Sequence, residues 1–199
     1  MARTKAFEEQ QVLVKAQELF WKKGYHATSI ADLRDYLKIS KSSIYETFGN
    51  KEELFLKSLS FYLEGGQESG STESSENIST SLFLQQFLET AIERAWSDTE
   101  RKGCFAMNCT AELASHHQAE FSTRVKAILN ANFEQFVENW SLYFKDQQTK
   151  GSISKEKDPK ALSQFLFATL GSINMISRKA QDKQVLTNIA KTALEGILA

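Results

Sequence analysis

Apolar side chains recur at helical spacing along most of the chain, and small polar residues and glycines punctuate them. From Phe7 to Lys23 the set Val12, Leu13, Ala16, Leu19 and Phe20 marks one face of a helix, and Gly24 stands where a glycine cap would end it. Thr28 and Ser29 open a second helix with Ile30, Leu33 and Leu37 facing inward, and Asp32, three after Ser29, completes a capping box. Lys38 and Ile39 make a short turn to Ser40, which caps a brief third helix, Lys41 to Phe48. Asn50 caps a fourth, with Glu53 at its third position and Leu54, Phe55, Leu59 and Phe61 as its apolar positions.

Residues 65 to 77, GGQESGSTESSEN, carry almost no apolar side chain and predict a flexible connection, because they cannot bury enough surface to order themselves. Four helical stretches follow: Thr80 to Trp96, Phe105 to about Trp140 with a break near His116 and His117, Pro159 to Arg178, and Asp182 to Leu198. Pro159 suits a first helical turn with Asp158 as its cap. The segment LSQFLFATLGSINMI is apolar nearly all round, so it needs cover on more than one face, and a partner subunit is expected to supply it. The pattern predicts an all-α chain of two domains, residues 1–64 and 65–199.

Composition sharpens this picture. Pro159 is the single proline of 199 residues, as a helical chain requires, and a hydrophobic fraction of 41% is ample for a core. No apolar run approaches the roughly 20 residues of a membrane-spanning helix. The start MARTKAFEEQ has no apolar stretch behind its basic residues, so no secretory signal is expected. Two cysteines five positions apart, Cys104 and Cys109, do not make a stapled scaffold, and a reducing cytoplasm fits them better. The chain carries a net charge of −1; its first sixty residues hold ten Lys and Arg against eight Asp and Glu, which is +2 and leaves −3 for the remainder. That asymmetry permits DNA binding without demonstrating it.

Enzyme signatures are missing: there is no glycine-rich phosphate loop, no Gly-x-Ser-x-Gly elbow and no His-Glu-x-x-His. His116 shares helical spacing with Glu112 and Glu120. A histidine pair beside a helix break reads as a solvated turn, however, and no cysteine completes a zinc set. Neither catalysis nor a metal or cofactor is expected.

Two short helices joined by a tight turn, the second opened by Ser-Lys-Ser-Ser and followed by Ile-Tyr, make a helix-turn-helix. In that motif one helix lies across the DNA groove while the other enters it. Small polar residues at Lys41, Ser42 and Ser43 let the backbone approach DNA, Tyr45 and Thr47 offer hydroxyls, and Ile44 and Phe48 pack inward. Lys51, at a helix start, and Thr28 and Ser29, one helix earlier, are candidates for phosphate contacts. The alternative is a helical protein-interaction module without DNA binding, which the small polar start of the third helix disfavours.

Phe20, Gly24, Tyr25, Thr28, Ser29, Ile30, Ala31, Leu33, Ile39, Ser40, Ile44, Tyr45, Phe48, Lys51, Glu52, Leu54 and Phe55 stand at the spacings of the TetR/AcrR family pattern, and over about sixty residues the chain resembles that family. Three positions depart from the pattern. Lys38 replaces the usual turn glycine and so predicts a lysine at positive φ; Ser42 stands where glycine is common, and Thr47 where histidine or tyrosine is common. The resemblance implies a three-helix DNA-binding domain and a larger helical domain for effector binding and dimerisation. It further implies a cytoplasmic homodimeric repressor, released from a palindromic double-stranded operator by a small ligand or a thiol-reactive compound.

By the same resemblance, the last two helices pair with their copies, and Phe165, Phe167, Leu170, Ile173, Leu186 and Ile189 are candidates for that interface. Candidates for effector lining are Phe83, Phe87, Cys104, Phe105, Met107, Phe121, Trp140 and Phe144, although aromatic residues at helical spacing more often fill a core. The stretch Gly103-Cys104-Phe105-Ala106-Met107-Asn108 resembles a Gly-Cys branch of the family that includes the electrophile-responsive repressor of N-ethylmaleimide reductase. At a helix start beside Arg101 and Lys102, a thiol would be favoured as thiolate.

Overall fold

The computed structural model describes residues 2–67, 78–114 and 119–199, and regular structure among them is helical throughout. The order is α1 Ala2–Lys23, α2 Ile30–Leu37, α3 Lys41–Phe48, α4 Lys51–Gln67, α5 Thr80–Ser97, α6 Phe105–Ala114, α7 Ala119–Thr149, α8 Pro159–Ser177 and α9 Gln184–Leu198. No helix among the described residues is long and apolar enough to cross a membrane.

The chain divides into two compact units, Met1–Ser69 with Phe105–Leu129, and Gly70–Cys104 with Asn130–Ala199. This division differs from a boundary at residue 64. Helix α6 and the start of α7 belong to the first unit because Phe105, Cys109, Phe121 and Val125 are buried in the same core as Phe20, Leu54, Phe55 and Leu59. Residues 68–77, at the heart of the expected connection, and His116 and His117, at the expected helix break, lie outside the described residues.

In the first unit the capping signals act as read. The Ser29 hydroxyl accepts from the Asp32 N–H at 3.0 Å while the Asp32 carboxylate accepts the Ser29 N–H at 2.8 Å, the reciprocal pair of a capping box. Asn50 Oδ1 accepts the Glu53 N–H at 2.9 Å and so caps α4. Lys38 ends α2 at φ 58° and ψ 35°, left-handed without being glycine, and its N–H closes on the Arg34 carbonyl at 3.0 Å. Such a residue costs about 1 kcal/mol, which the packing of Leu37 on one side and Ile39 on the other offsets.

The second unit closes its own core from Leu84, Leu88 and Ile92 of α5, Trp140 and Phe144 of α7, Leu166 and Ile173 of α8, and Leu186 and Ile197 of α9. Pro159 sits in the first turn of α8, and Asp158 caps it by accepting the Lys160 N–H at 2.9 Å. Helix α7 runs nine residues beyond Trp140, because Tyr143, Phe144, Gln147 and Gln148 continue its buried face, and Gly151 at φ 78° follows its end. Helix α9 begins at Gln184, with Asp182 accepting the Gln184 N–H at 2.8 Å rather than opening the helix itself. Phe165, Phe167 and Met175 of α8 and Val185 of α9 remain exposed. Ile173 and Leu186, expected on a face for a partner, instead have no exposed surface, so their own chain consumes them.

Candidate nucleic-acid interface

Helix α3 owes its position to two side chains. Ile44 and Phe48 are buried against Leu33, Leu37, Leu54 and Phe55, which fixes the opposite face of the helix toward solvent. That face carries Lys41, Ser42, Tyr45 and Glu46, all exposed, with Ser43 and Thr47 half-buried at its edge. Tyr45 is 40% exposed, and the Lys41 ammonium lies 5.6 Å from its ring centroid. At the helix start the hydroxyls of Ser42 and Ser43 stand 2.8 and 2.9 Å from that of Ser40, whose Oγ also accepts the Ser43 N–H at 3.1 Å. Rotatable hydroxyls can trade such mutual bonds for phosphate or base-edge acceptors at little cost.

Three expected contacts are placed otherwise. Thr28 is fully buried and donates its hydroxyl to the Gly24 carbonyl at 2.6 Å, so its side chain is a structural strut and leaves the DNA-facing set. Ser29 is exposed, but its hydroxyl donates to Asp32 at 2.6 Å within the capping box. Lys51 is folded back over the domain: its ammonium lies 4.2 Å from the Tyr25 ring centroid, and burial holds its pKa below the usual lysine range, with Glu112 and Asp32 working the other way. A reach to phosphate therefore requires Lys51 to leave that ring.

Tyr25 anchors the segment between α1 and α2. Its ring stacks on Phe121 at 4.1 Å and meets Phe55 edge-on at 5.0 Å, while burial, together with Glu52 and Glu112, raises its hydroxyl above the ordinary range. The Glu112 carboxylate on α6 accepts the backbone N–H of Tyr25 at 3.0 Å and of His26 at 2.8 Å. Arg124 of α7 forks onto Glu53 at 2.7 and 3.1 Å and reaches Glu52 at 3.0 Å, which holds the Glu53 carboxyl below the usual range. Glu46 carries no signal in the sequence beyond its place four residues after Ser42 on the exposed face. In the sequence Glu112 stands out only by its helical spacing to His116; among the described residues no group of three or more His, Cys, Asp or Glu is placed to hold a metal ion.

Residues 12–57 match the family described as bacterial regulatory proteins, tetR family, a span that takes in the whole of α2 and α3. Residues 12–57 thus carry the tetR-family pattern, and the relatives that align with nearly the whole chain are named HTH-type transcriptional regulators. It is 29% identical to the uncharacterized HTH-type transcriptional regulator YezE of Bacillus subtilis (strain 168) over 98% of each chain. It is 28% identical to the HTH-type transcriptional repressor ComR of Escherichia coli (strain K12), over 96% of this chain and 90% of ComR. Among solved structures, a cysteine mutant of the TetR family regulator CifR, complexed with a 26bp double-strand operator DNA, matches with a TM-score of 0.78 at 22% identity over 94% of each chain. The reduced form of E. coli NemR matches with a TM-score of 0.81 at 15% identity over 96% of this chain and 97% of NemR, a likeness of fold alone.

The eight residues expected to line an effector site are divided between the two units. Phe105 and Phe121 belong to the core of the first unit, and Met107 is exposed. Phe83, Phe87, Trp140 and Phe144 gather in the second unit. Cys104 is a half-buried cysteine immediately before α6, and Cys109 is a buried one. The two cations expected to activate Cys104 hold other partners: Arg101, at φ 51°, donates to the Ala180 carbonyl at 3.1 Å, and Lys102 pairs with Asp98 and Glu100, both at 2.9 Å. Burial alone would raise Asp98, but its hydrogen bonds from Lys102 prevail and its pKa is lowered.

Proposed function

We propose that this chain is a repressor that binds a near-palindromic operator in duplex DNA as a homodimer, and that a small effector bound in the second unit releases it. The observation that carries the reading is the face of α3 on which Lys41, Ser42, Tyr45 and Glu46 stand clear of the core while Ile44 and Phe48 hold the helix. Cationic and hydroxyl side chains suit phosphates and purine edges, and a carboxylate at Glu46 suits the amino group of cytosine. The operator DNA in the CifR structure and the repressor name of ComR support the same assignment. Such a protein works in the cytoplasm, where its operator is.

The apolar side chains left on α8 and α9, Phe165, Phe167, Met175 and Val185, with Leu170 and Ile189 half-buried between them, suit the partner face. A two-fold pairing there sets two copies of α3 against successive turns of a duplex, about 34–36 Å or a multiple apart. Tyr45→Ala tests the reading: affinity for the operator falls about tenfold, as the loss of one base-edge or phosphate contact does, while the dimer persists. Unchanged affinity would take Tyr45 off the DNA face, and salt-independent binding would favour a protein-interaction module instead.

A second mode of release rests on Cys104, the more exposed of the two cysteines, immediately before α6. On that reading Cys104→Ser keeps DNA binding and loses release by N-ethylmaleimide. A normal response in the variant discards it.

A further inference from the structure

Trp140 is fully buried in the second unit, inside a shell of five aromatic rings: Phe87 at 4.7 Å between centroids, Tyr143 at 5.4 Å, Phe144 at 5.7 Å, Phe136 at 5.9 Å and Phe83 at 6.2 Å. Its indole N–H, a donor with no acceptor capacity of its own, is buried without a hydrogen-bond partner among the described residues. The polar groups nearby are already committed. Tyr143, whose hydroxyl burial pushes up to about 12, hydrogen-bonds with Thr80, and Thr80 in turn donates to Gln147 Oε1 at 2.5 Å. The carbonyls of the surrounding helices serve their own ladders.

A buried indole N–H ordinarily finds an acceptor, because leaving it without one forfeits the hydrogen bond it made to water in the unfolded chain. The shell is also uneven. Tyr143 and Phe144 are buried, whereas Phe83, Phe87 and Phe136 are partly exposed, so three of the five rings around Trp140 reach the surface of the unit. Partly exposed rings of that kind offer a flat guest the offset or edge-on contacts that aromatic pairs prefer.

We infer that the aromatic shell around Trp140 is a subsite for a small, flat, apolar molecule that carries a hydrogen-bond acceptor, the class of aryl carbonyl compounds. The guest stacks between Phe83, Phe87 and Phe136 and offers its oxygen to the Trp140 N–H. The inference rests on the second unit's being the effector-binding part, and it narrows the effector by its chemistry: an acceptor is required for the Trp140 N–H, and a flat apolar body for the phenyl rings beside it.

The test uses the full-length protein and a matched pair of probes, acetophenone and ethylbenzene, which share a shape and differ by the carbonyl. The indole N–H resonances of the three tryptophans are followed by NMR, and Trp140 is assigned by deleting the other two signals with Trp21→Phe and Trp96→Phe, so the result does not depend on a Trp140 variant folding. Acetophenone moves the Trp140 proton downfield and saturates, and ethylbenzene binds roughly fivefold to tenfold more weakly. Trp140→Phe, where it folds, erases that preference. A Trp140 signal unmoved by acetophenone, or equal affinities for the two probes, overturns the inference. Release of bound DNA by acetophenone is read separately. Binding at Trp140 without release upholds the subsite and refutes the effector reading, whereas release with Trp140 unmoved keeps the effector reading and overturns the subsite.

Discussion

The Glu112 carboxylate, on α6, accepts the backbone N–H of His26, in the segment joining α1 to α2, at 2.8 Å. It takes the N–H of Tyr25 as well, at 3.0 Å, so one side chain closes two amides that no helix ladder satisfies. Helix α6 thereby fixes the entry to the helix-turn-helix through charge-assisted bonds rather than through apolar packing alone. Glu112→Ala leaves both amides unmatched in a part-buried position and is expected to lower stability by about 2–3 kcal/mol, read as a fall in the denaturation midpoint; Glu112→Gln, which keeps an acceptor oxygen, loses about half as much. Equal stability of all three proteins would mean that water serves these amides as well as Glu112 does.

Gly24 tests the same corner from the other side. At φ 83° its backbone disfavours any side chain, and an added Cβ would stand 3.0 Å from Glu112 Oε2. Gly24→Ala is expected to cost about 1–2 kcal/mol for the left-handed conformation, and more if Glu112 has to move. In Glu112→Ala the steric share disappears, so the double variant loses less than the two single losses combined. Strict additivity, measured by thermal or denaturant unfolding, would contradict the contact.

Acid sensitivity of the DNA-binding unit follows from two carboxylates. Hydrogen bonds from Lys23 and Ser29 hold Asp32 well below its ordinary value of 3.8, and Arg124 holds Glu53 below 4.5. A carboxylate whose pKa is lowered by folding contributes stability above its unfolded value and loses it as the pH falls toward its folded one. The melting temperature should thus stay level down to about pH 5 and decline below it, with Asp32→Asn shallower in that decline. A midpoint that rises on acidification would contradict the assignment.

Helix α8 holds near neighbours of opposite exposure. Phe167 is 36% exposed and Ile173 has no exposed surface. Phe167→Glu is expected to elute as a monomer from a sizing column with its helical content intact, while Ile173→Glu fails to fold, since it buries an unpaired charge in the core. A folded Phe167→Glu dimer would move the interface off this face.

Local signals in the sequence translated almost directly. Ser29 with Asp32, Ser40 with Ser43, Asn50 with Glu53 and Asp158 before Pro159 each make the cap their spacing predicts, because a cap is decided within four residues. Lys38 adopts the positive φ that its place in the turn demands.

What failed to show was the fate of a side chain beyond its own helix. Periodicity marks Phe105 and Phe121 as inward-facing but cannot say which core they enter, and they join Phe55 in the first unit instead of Trp140 in the second. The same limit hid the burial of Ile173 and the folding of Lys51 over Tyr25, both of which depend on residues remote in sequence. Glu112 was legible as a carboxylate on a helix; its partners, 86 and 87 positions away, were not.

The central claim is that α3 reads duplex DNA twice, once from each protomer. Its most direct test is selection of bound fragments from a pool of random duplexes by the full-length protein, repeated with Tyr45→Ala. The account predicts enrichment of an inverted repeat with half-sites one helical turn or a small multiple apart, lost or sharply weakened in the variant. Enrichment of no sequence above salt-sensitive background, or of the same repeat at the same strength by Tyr45→Ala, would contradict it.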